Sequence, residues 1–183
     1  MEKLMKNRTL FYSSWIMLLL VFVVTACSEG DGDDGSVEWV VENARFTDLD
    51  GNDVSVKEFE GSVVLIDFWE SWCGPCLQVF PAMEELRAEF PNEFQVLAVT
   101  AGLSEGPEEA REFAEKHGYD FHFLYDEYGV FSRLGGQGIP FKAYLDPDGN
   151  FIKIEMGSFG RQGDYNRAKA LIMDYFGEPA EEG

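Results

Sequence analysis

The sequence is poor in positive charge, in cysteine and in histidine. Its 183 residues contain 14 Lys or Arg against 34 Asp or Glu, which gives a formal net charge of −20 at pH 7. A surface this acidic is repelled by the phosphates of nucleic acids, so we do not expect a nucleic acid as partner. Three cysteines and two histidines leave no second ligand pair for a zinc site, and no nucleotide or flavin motif is visible. We therefore expect neither a metal nor a cofactor.

The sequence also lacks an apolar run of the roughly 20 residues that a membrane-spanning helix needs. The apolar residues 15–24 follow Lys3, Lys6 and Arg8, which is the charge arrangement of a secretory signal peptide. They end in Val-Thr-Ala-Cys, which resembles the bacterial lipobox. The resemblance implies a lipoprotein signal peptide over residues 1–26 and a lipid on Cys27, which would anchor the protein to a bacterial membrane in the cell envelope, outside the cytoplasm. An uncleaved anchor helix ending at a chance cysteine is the alternative.

The rest of the chain divides by composition. Residues 28–36 are Gly, Ser and acidic residues without an apolar side chain, so we expect residues 27–36 to be an acidic, Gly-rich tether. Residues 37–177 have the length of one domain and enough apolar side chains for a core. We expect residues 178–183 to be a frayed C-terminus.

Two cysteines lie where a strand gives way to a helix. Residues 63–68 are apolar and mostly β-branched or aromatic, which predicts a buried strand, and Pro75 with the periodic segment after it predicts the start of a helix. A helix N-terminus stabilises a thiolate, and in Cys-x-x-Cys motifs the pKa of the attacking sulfur falls from about 8.5 to roughly 3.5–7.5. Cys73 is therefore the expected nucleophile, and Cys76 the resolving thiol of a redox-active disulfide.

The motif residues resemble a known active site. Asp-Phe-Trp at residues 67–69, followed by Trp-Cys-Gly-Pro-Cys at residues 72–76, is similar to the thioredoxin site, and the whole chain resembles membrane-anchored TlpA/ResA-type proteins. The resemblance implies a thiol-disulfide oxidoreductase that reduces protein disulfides, takes electrons from a membrane thiol-disulfide donor, and serves in some members cytochrome c maturation. It also implies a cis bond between Ile139 and Pro140. The substrate-binding residues that it implies are Trp72, Gly74, Pro75, Ile139 and Pro140.

The predicted elements suit this family. Residues 44–49 and 53–56 predict an N-terminal β-hairpin around an Asp-Gly turn. Further strands are expected at residues 94–100, 119–125, 141–145 and 151–156, and further helices at residues 107–117 and 164–176. The alternation predicts an α/β, thioredoxin-like fold, with a central mixed β-sheet flanked by helices and the hairpin as an extension.

Three residues near the motif set expectations for proton transfer. Asp67 is a carboxylate within an apolar strand, so its pKa should be raised, and it could carry the proton of Cys76; a satisfied buried polar group is the alternative. ResA-like proteins have a Glu where this chain has Val79, and residues 94–100 lack the Lys that thioredoxins place beside the Asp. We therefore expect Asp67 to act alone. Glu70 is interpreted as solvated surface.

Other functions remain open at this stage. A redoxin-type thiol peroxidase is one alternative, although such enzymes need a Thr or Ser placed before a lone reactive cysteine. A binding or chaperone module without redox turnover is another. A purely structural Cys73–Cys76 disulfide is disfavoured because it would close too short a loop to restrict the unfolded chain much.

Overall fold

The computed structural model describes residues 35–178. The predicted signal peptide, Cys27, most of the tether and residues 179–183 lie outside the described residues. No helix within residues 35–178 is both long and apolar enough to cross a membrane.

Seven strands form one mixed sheet. Their order across the sheet is β2-β1-β5-β4-β3-β6-β7. The pairs β3/β4 and β4/β5 are parallel, and the other neighbours are antiparallel. The predicted hairpin is confirmed as the pair β1/β2, which lies at one edge of the sheet. The strands are β1 Arg45–Asp48, β2 Asp53–Ser55, β3 Val63–Trp69, β4 Phe94–Thr100, β5 His122–Tyr125, β6 Phe141–Leu145 and β7 Phe151–Met156.

Helices cover both faces of the sheet. They are α1 Val37–Glu42, α2 Cys76–Glu89, α3 Pro107–His117, α4 Val130–Arg133 and α5 Gly160–Phe176, with a 3-10 helix at Val56–Phe59. Two helices were not predicted, α1 and α4, because each is too short to show a helical period. The strand predicted at residues 119–125 begins only at His122.

The central strand β3 is buried along its whole length. Because strand side chains alternate, Val64, Ile66 and Phe68 pack on one face with residues of α1 and α4. The opposite face carries Val63 and Leu65, which pack with residues of α2 and α5. A strand enclosed on both faces needs an unbroken apolar sequence, and Asp67 is the one charged residue that interrupts it.

A buried ion pair joins α5 to the sheet. Lys142 Nζ on β6 lies 2.5 Å from Asp164 Oδ1, and neither side chain is exposed. Glu155 Oε2 on β7 is 3.8 Å from the same nitrogen. The other oxygen of Asp164 accepts hydrogen bonds from Ser158 Oγ at 2.6 Å and from Phe159 N at 3.1 Å. Asp164 therefore lies inside the first turns of α5, and the prediction that this helix begins at residue 164 was four residues late.

The buried pair should dominate the stability of this face. Replacing Lys142 by Met should lower the free energy of unfolding by about 3–5 kcal/mol, because Asp164 would keep a buried charge without its partner. The matched control is Arg161→Met, which removes an ion pair with Glu85 whose side chains are 63% and 53% exposed. That change should cost less than about 1 kcal/mol. Urea denaturation of the oxidised protein measures both, and equal losses would contradict the assignment.

Candidate active site

The two motif cysteines are joined as a disulfide between β3 and α2. Their Cα atoms are 5.3 Å apart, and the backbone N–H of Cys76 donates to Cys73 Sγ at 3.2 Å. The helix begins at Cys76, with Pro75 before it as the N-cap residue, so the predicted junction is confirmed. Cys73 is 3% exposed and Cys76 is fully buried. Of the two cysteines, Cys73 thus lies nearer to the surface.

The loop before β6 lies beside the cysteines. The peptide bond between Ile139 and Pro140 is cis, as the thioredoxin resemblance implied. Ile139 packs against the apolar cluster that contains both cysteines, and Phe141, after the proline, lies opposite Phe68 on β3. The cis-proline loop is thus held beside the disulfide by the antiparallel pairing of β6 with β3.

Three of the five predicted substrate-binding residues are exposed, whereas Ile139 is half-buried and Pro140 is buried. Trp72 is 59% exposed, and Gly74 and Pro75 are exposed as well. Trp69, by contrast, is fully buried and packs its ring against Phe80 and two other aromatic rings. Of the two tryptophans that flank the site, only Trp72 is available to another molecule.

Asp67 lies in the sheet beneath the cysteines. Asp67 shares the sheet face covered by α2 with Leu65 and Trp69, because residues two apart in a strand point to the same side. Its neighbour on β4, Ala98, belongs to the cluster that contains Cys73 and Cys76. Its side chain is fully buried, and neither carboxylate oxygen has a hydrogen-bond partner among the described residues. Burial raises the pKa of Asp67 to about 8. With this pKa, the carboxyl group can exchange a proton near neutral pH.

The expectation that Asp67 acts alone was wrong. Lys142 lies directly opposite it on β6, and the positive charge of the lysine opposes the effect of burial on the pKa of Asp67. The negative charge of Asp164, which the same lysine binds, raises that pKa further. Thioredoxins place this lysine on the strand that corresponds to β4, whereas here it comes from β6, the opposite neighbour of β3. No local signal could have revealed it, because Lys142 is far from Asp67 along the chain.

The interpretation of Glu70 as solvated surface was also wrong. Its side chain is fully buried. Oε1 accepts hydrogen bonds from the backbone N–H groups of Leu103 at 2.5 Å and Ser104 at 3.1 Å. Oε2 accepts from Trp72 Nε1 and from Ser104 Oγ, both at 2.7 Å. Burial alone would raise the pKa of Glu70, but the hydrogen bonds from Ser104, Trp72 and Leu103 outweigh it and lower that pKa.

Comparison with known proteins agrees with this geometry. Residues 37–172 match the family model described as Redoxin. The chain belongs to the redoxin family. Among related redoxin-like proteins, thioredoxin-like protein YneN of Bacillus subtilis is 32% identical over 115 residues, which are 62% of this chain and 68% of that protein. Thiol-disulfide oxidoreductase ResA of Oceanobacillus iheyensis is 27% identical over 165 residues, covering 86% of this chain and 85% of the relative.

A solved structure extends the comparison to the fold. The crystal structure of a protein described as thiol:disulfide interchange protein DsbE, from Chlorobium tepidum, superposes with a TM-score of 0.63 at 30% identity. The match covers 74% of this chain and 94% of that one. The predicted thioredoxin-like fold is confirmed. This redoxin-family chain therefore has its Cys-x-x-Cys pair within a fold shared by thiol-disulfide exchange proteins.

The raised pKa of Asp67 predicts a pH-dependent effect on stability. Unfolding returns this pKa toward 3.8, so between that value and about 8 the unfolded chain binds fewer protons than the native chain. The loss of native-state stability caused by the buried Asp67 carboxyl group is thus absent below pH 3.8 and grows as the pH rises toward 8. An uncharged Asn avoids it. Asp67→Asn should gain stability relative to the wild type by up to about 1.4 kcal/mol per pH unit across this range.

Urea denaturation of the oxidised protein at several pH values measures this difference. The matched control is Asp174→Asn, which removes an exposed carboxylate on α5 and should show no such trend. A stability difference for Asp67→Asn that stays constant between about pH 4 and pH 8 would refute the raised pKa.

Proposed function

We propose that this chain reduces disulfides in other proteins through Cys73, with Cys76 as the resolving thiol. The chain is a thiol-disulfide oxidoreductase, as its relatives and its Cys73–Cys76 pair indicate. The observation that carries the assignment of roles is the unequal burial of the two cysteines, since Cys73 keeps 3% exposure next to the exposed Trp72, whereas Cys76 has none. The exposed residues next to Cys73, which are Trp72, Gly74 and Pro75, support a protein as the substrate.

The first step uses the reduced enzyme. The thiolate of Cys73 attacks one sulfur of the substrate disulfide, the substrate S–S bond breaks, and the departing substrate sulfur leaves as a thiolate that takes a proton from water. The product is a mixed disulfide between Cys73 and the substrate. The start of α2 favours this step because the positive end of the helix stabilises the attacking thiolate.

The second step releases the substrate. The ionised carboxylate of Asp67 accepts the proton of the Cys76 thiol, and the Cys76 thiolate attacks Cys73 Sγ. The mixed disulfide breaks, the second substrate sulfur leaves as a thiolate and is protonated, and the enzyme disulfide forms. Two electrons pass from the cysteine pair to the substrate. The pKa of about 8 places Asp67 close to the balance between accepting and donating a proton at neutral pH.

The cycle needs a dithiol donor to restore the reduced enzyme. We propose that a membrane thiol-disulfide protein supplies these electrons by disulfide exchange with the Cys73–Cys76 pair, as the TlpA/ResA resemblance implies. Disulfide-containing proteins outside the cytoplasm are the proposed substrates, and apocytochrome c is one candidate among them. The anchor would be a lipid on Cys27, as the lipobox resemblance implies.

A cysteine exchange experiment tests the roles of the two sulfurs. Reduced Cys76→Ser should accumulate a mixed disulfide with insulin through Cys73, because the resolving thiol is missing, whereas Cys73→Ser should form none. Intact-protein mass spectrometry detects the adduct. Insulin reduction should fall to background in both variants. Adduct formation through Cys76 instead, or full activity of Cys73→Ser in the host bacterium, would contradict the proposal, and the latter would favour a binding module.

A kinetic experiment with the same substrate tests Asp67 as the group that accepts the Cys76 proton. Asp67→Asn should form the mixed disulfide at the normal rate but release insulin about tenfold or more slowly at neutral pH, because no base receives the Cys76 proton. Stopped-flow mixing followed by acid quenching separates the two steps. An unchanged release rate would remove Asp67 from the mechanism. Catalytic reduction of hydrogen peroxide by the wild type at a rate exceeding insulin reduction would favour the peroxidase alternative.

The anchor has its own test. In a bacterial host that processes lipoproteins, the wild-type chain should incorporate radiolabelled palmitate and sediment with membranes. Cys27→Ser should lose the label, because the lipid-bearing sulfur is gone. Cys73→Ser is the matched control and should keep it. Palmitate labelling that survives in Cys27→Ser would contradict the lipobox assignment.

A further inference from the structure

Two carboxylates fasten the loop before Cys73 to the loop after β4. Glu70 binds the indole N–H of Trp72 on one side and the backbone N–H of Leu103 on the other. Glu105 accepts from the backbone N–H of Ser71 at 2.6 Å, and the hydroxyl of Ser71 donates to the same carboxylate. The segment that leads into Cys73 is thus hydrogen-bonded to the loop after β4 through Glu70 and through Glu105.

The residues that Glu70 holds carry exposed apolar side chains. Trp72 is 59% exposed and Leu103 is 52% exposed. A single exposed apolar residue needs no explanation. These two, however, come from separate loops and are fixed by the two oxygens of one buried carboxylate, immediately before the attacking cysteine. A surface held rigid before binding loses less conformational entropy when a partner arrives.

We propose that Glu70 is a positioning residue that holds Trp72 and Leu103 as one apolar contact surface beside Cys73, and that this surface selects substrates. The selected substrates would be disulfides with an apolar side chain next to the cysteine that is attacked. This inference rests on the proposed function, since a substrate sulfur must reach Cys73 Sγ. Trp72 precedes Cys73 in the chain and is exposed, so it is placed to contact the substrate residue next to the attacked cysteine.

The hydrogen bonds explain why a carboxylate is needed. Oε1 takes two backbone N–H donors, and Oε2 takes the indole N–H of Trp72 and the hydroxyl of Ser104. All four partners can donate, so both oxygens must be acceptors. The indole N–H also lies 2.8 Å from Ser104 Oγ, so Glu70 and Ser104 together hold Trp72. An amide in place of the carboxylate would turn a donor toward the donors of one of the two loops and weaken the hold on that loop. Glu70→Gln should therefore loosen either Trp72 or the loop at Leu103 while preserving the side-chain volume.

Two synthetic peptide disulfides test the inference with the full chain. They are identical except that the residue next to the cysteine is Leu in one and Ser in the other. Hydroxyethyl disulfide serves as a third substrate too small to reach both side chains. The wild type should show a KM about tenfold lower for the Leu peptide at similar kcat, because burying a leucine contributes this much. Glu70→Gln and Leu103→Ser should abolish that preference and keep the wild-type rate on hydroxyethyl disulfide.

The controls separate the possible failures. Glu108→Gln removes an exposed carboxylate at the start of α3 and should keep the preference. A wild type that reduces none of the three substrates would contradict the proposed function itself. A wild type that reduces both peptides equally would overturn the inference alone. So would a preference retained in Leu103→Ser, which tests the surface even if Glu70→Gln fails to fold, or a loss of hydroxyethyl disulfide reduction in folded Glu70→Gln.

Discussion

The site depends on one buried positive charge shared between two carboxylates. Lys142 forms a close ion pair with Asp164 and faces Asp67 across the β3/β6 ladder. Asp164 also accepts hydrogen bonds from the start of α5, so it is the better partner for the lysine. Burial is the main cause of the raised pKa of Asp67, about 8; the positive charge of Lys142 lowers that pKa, and the negative charge of Asp164 raises it again. The same cation therefore joins α5 to the sheet and moderates the pKa of Asp67.

Hydrogen bonding, and not burial alone, decides how the two unusual carboxylates behave. Asp67 and Glu70 are both fully buried and lie three residues apart. Asp67 has no hydrogen-bond donor among the described residues, and its pKa is raised. Glu70 has donors on both oxygens, and its pKa is lowered. The first can exchange a proton near neutral pH, whereas the second is a fixed charge suited to holding loops in place.

Most of the fold could be predicted from local patterns, because strands and helices carry their own periodicity and turn signals. The strands Phe94–Thr100, Phe141–Leu145 and Phe151–Met156 and the helix Pro107–His117 agree with the prediction at both ends. The environments of the charged residues could not be predicted in this way. Lys142 reaches Asp67, and Ser104 reaches Glu70, only after strands distant in sequence have paired. The start of α5 was predicted four residues late, because Asp164 lies within the helix and is buried against Lys142.

The reduction potential of the Cys73–Cys76 pair decides whether it acts as a reducing dithiol. Equilibration of the protein with defined redox buffers, followed by thiol alkylation and mass measurement, gives the value, and each 30 mV corresponds to about 1.4 kcal/mol for this two-electron couple. We expect a potential near that of thioredoxin, about −270 mV. A potential of about −120 mV would make the chain a disulfide-forming oxidant and contradict the proposed reduction of protein disulfides.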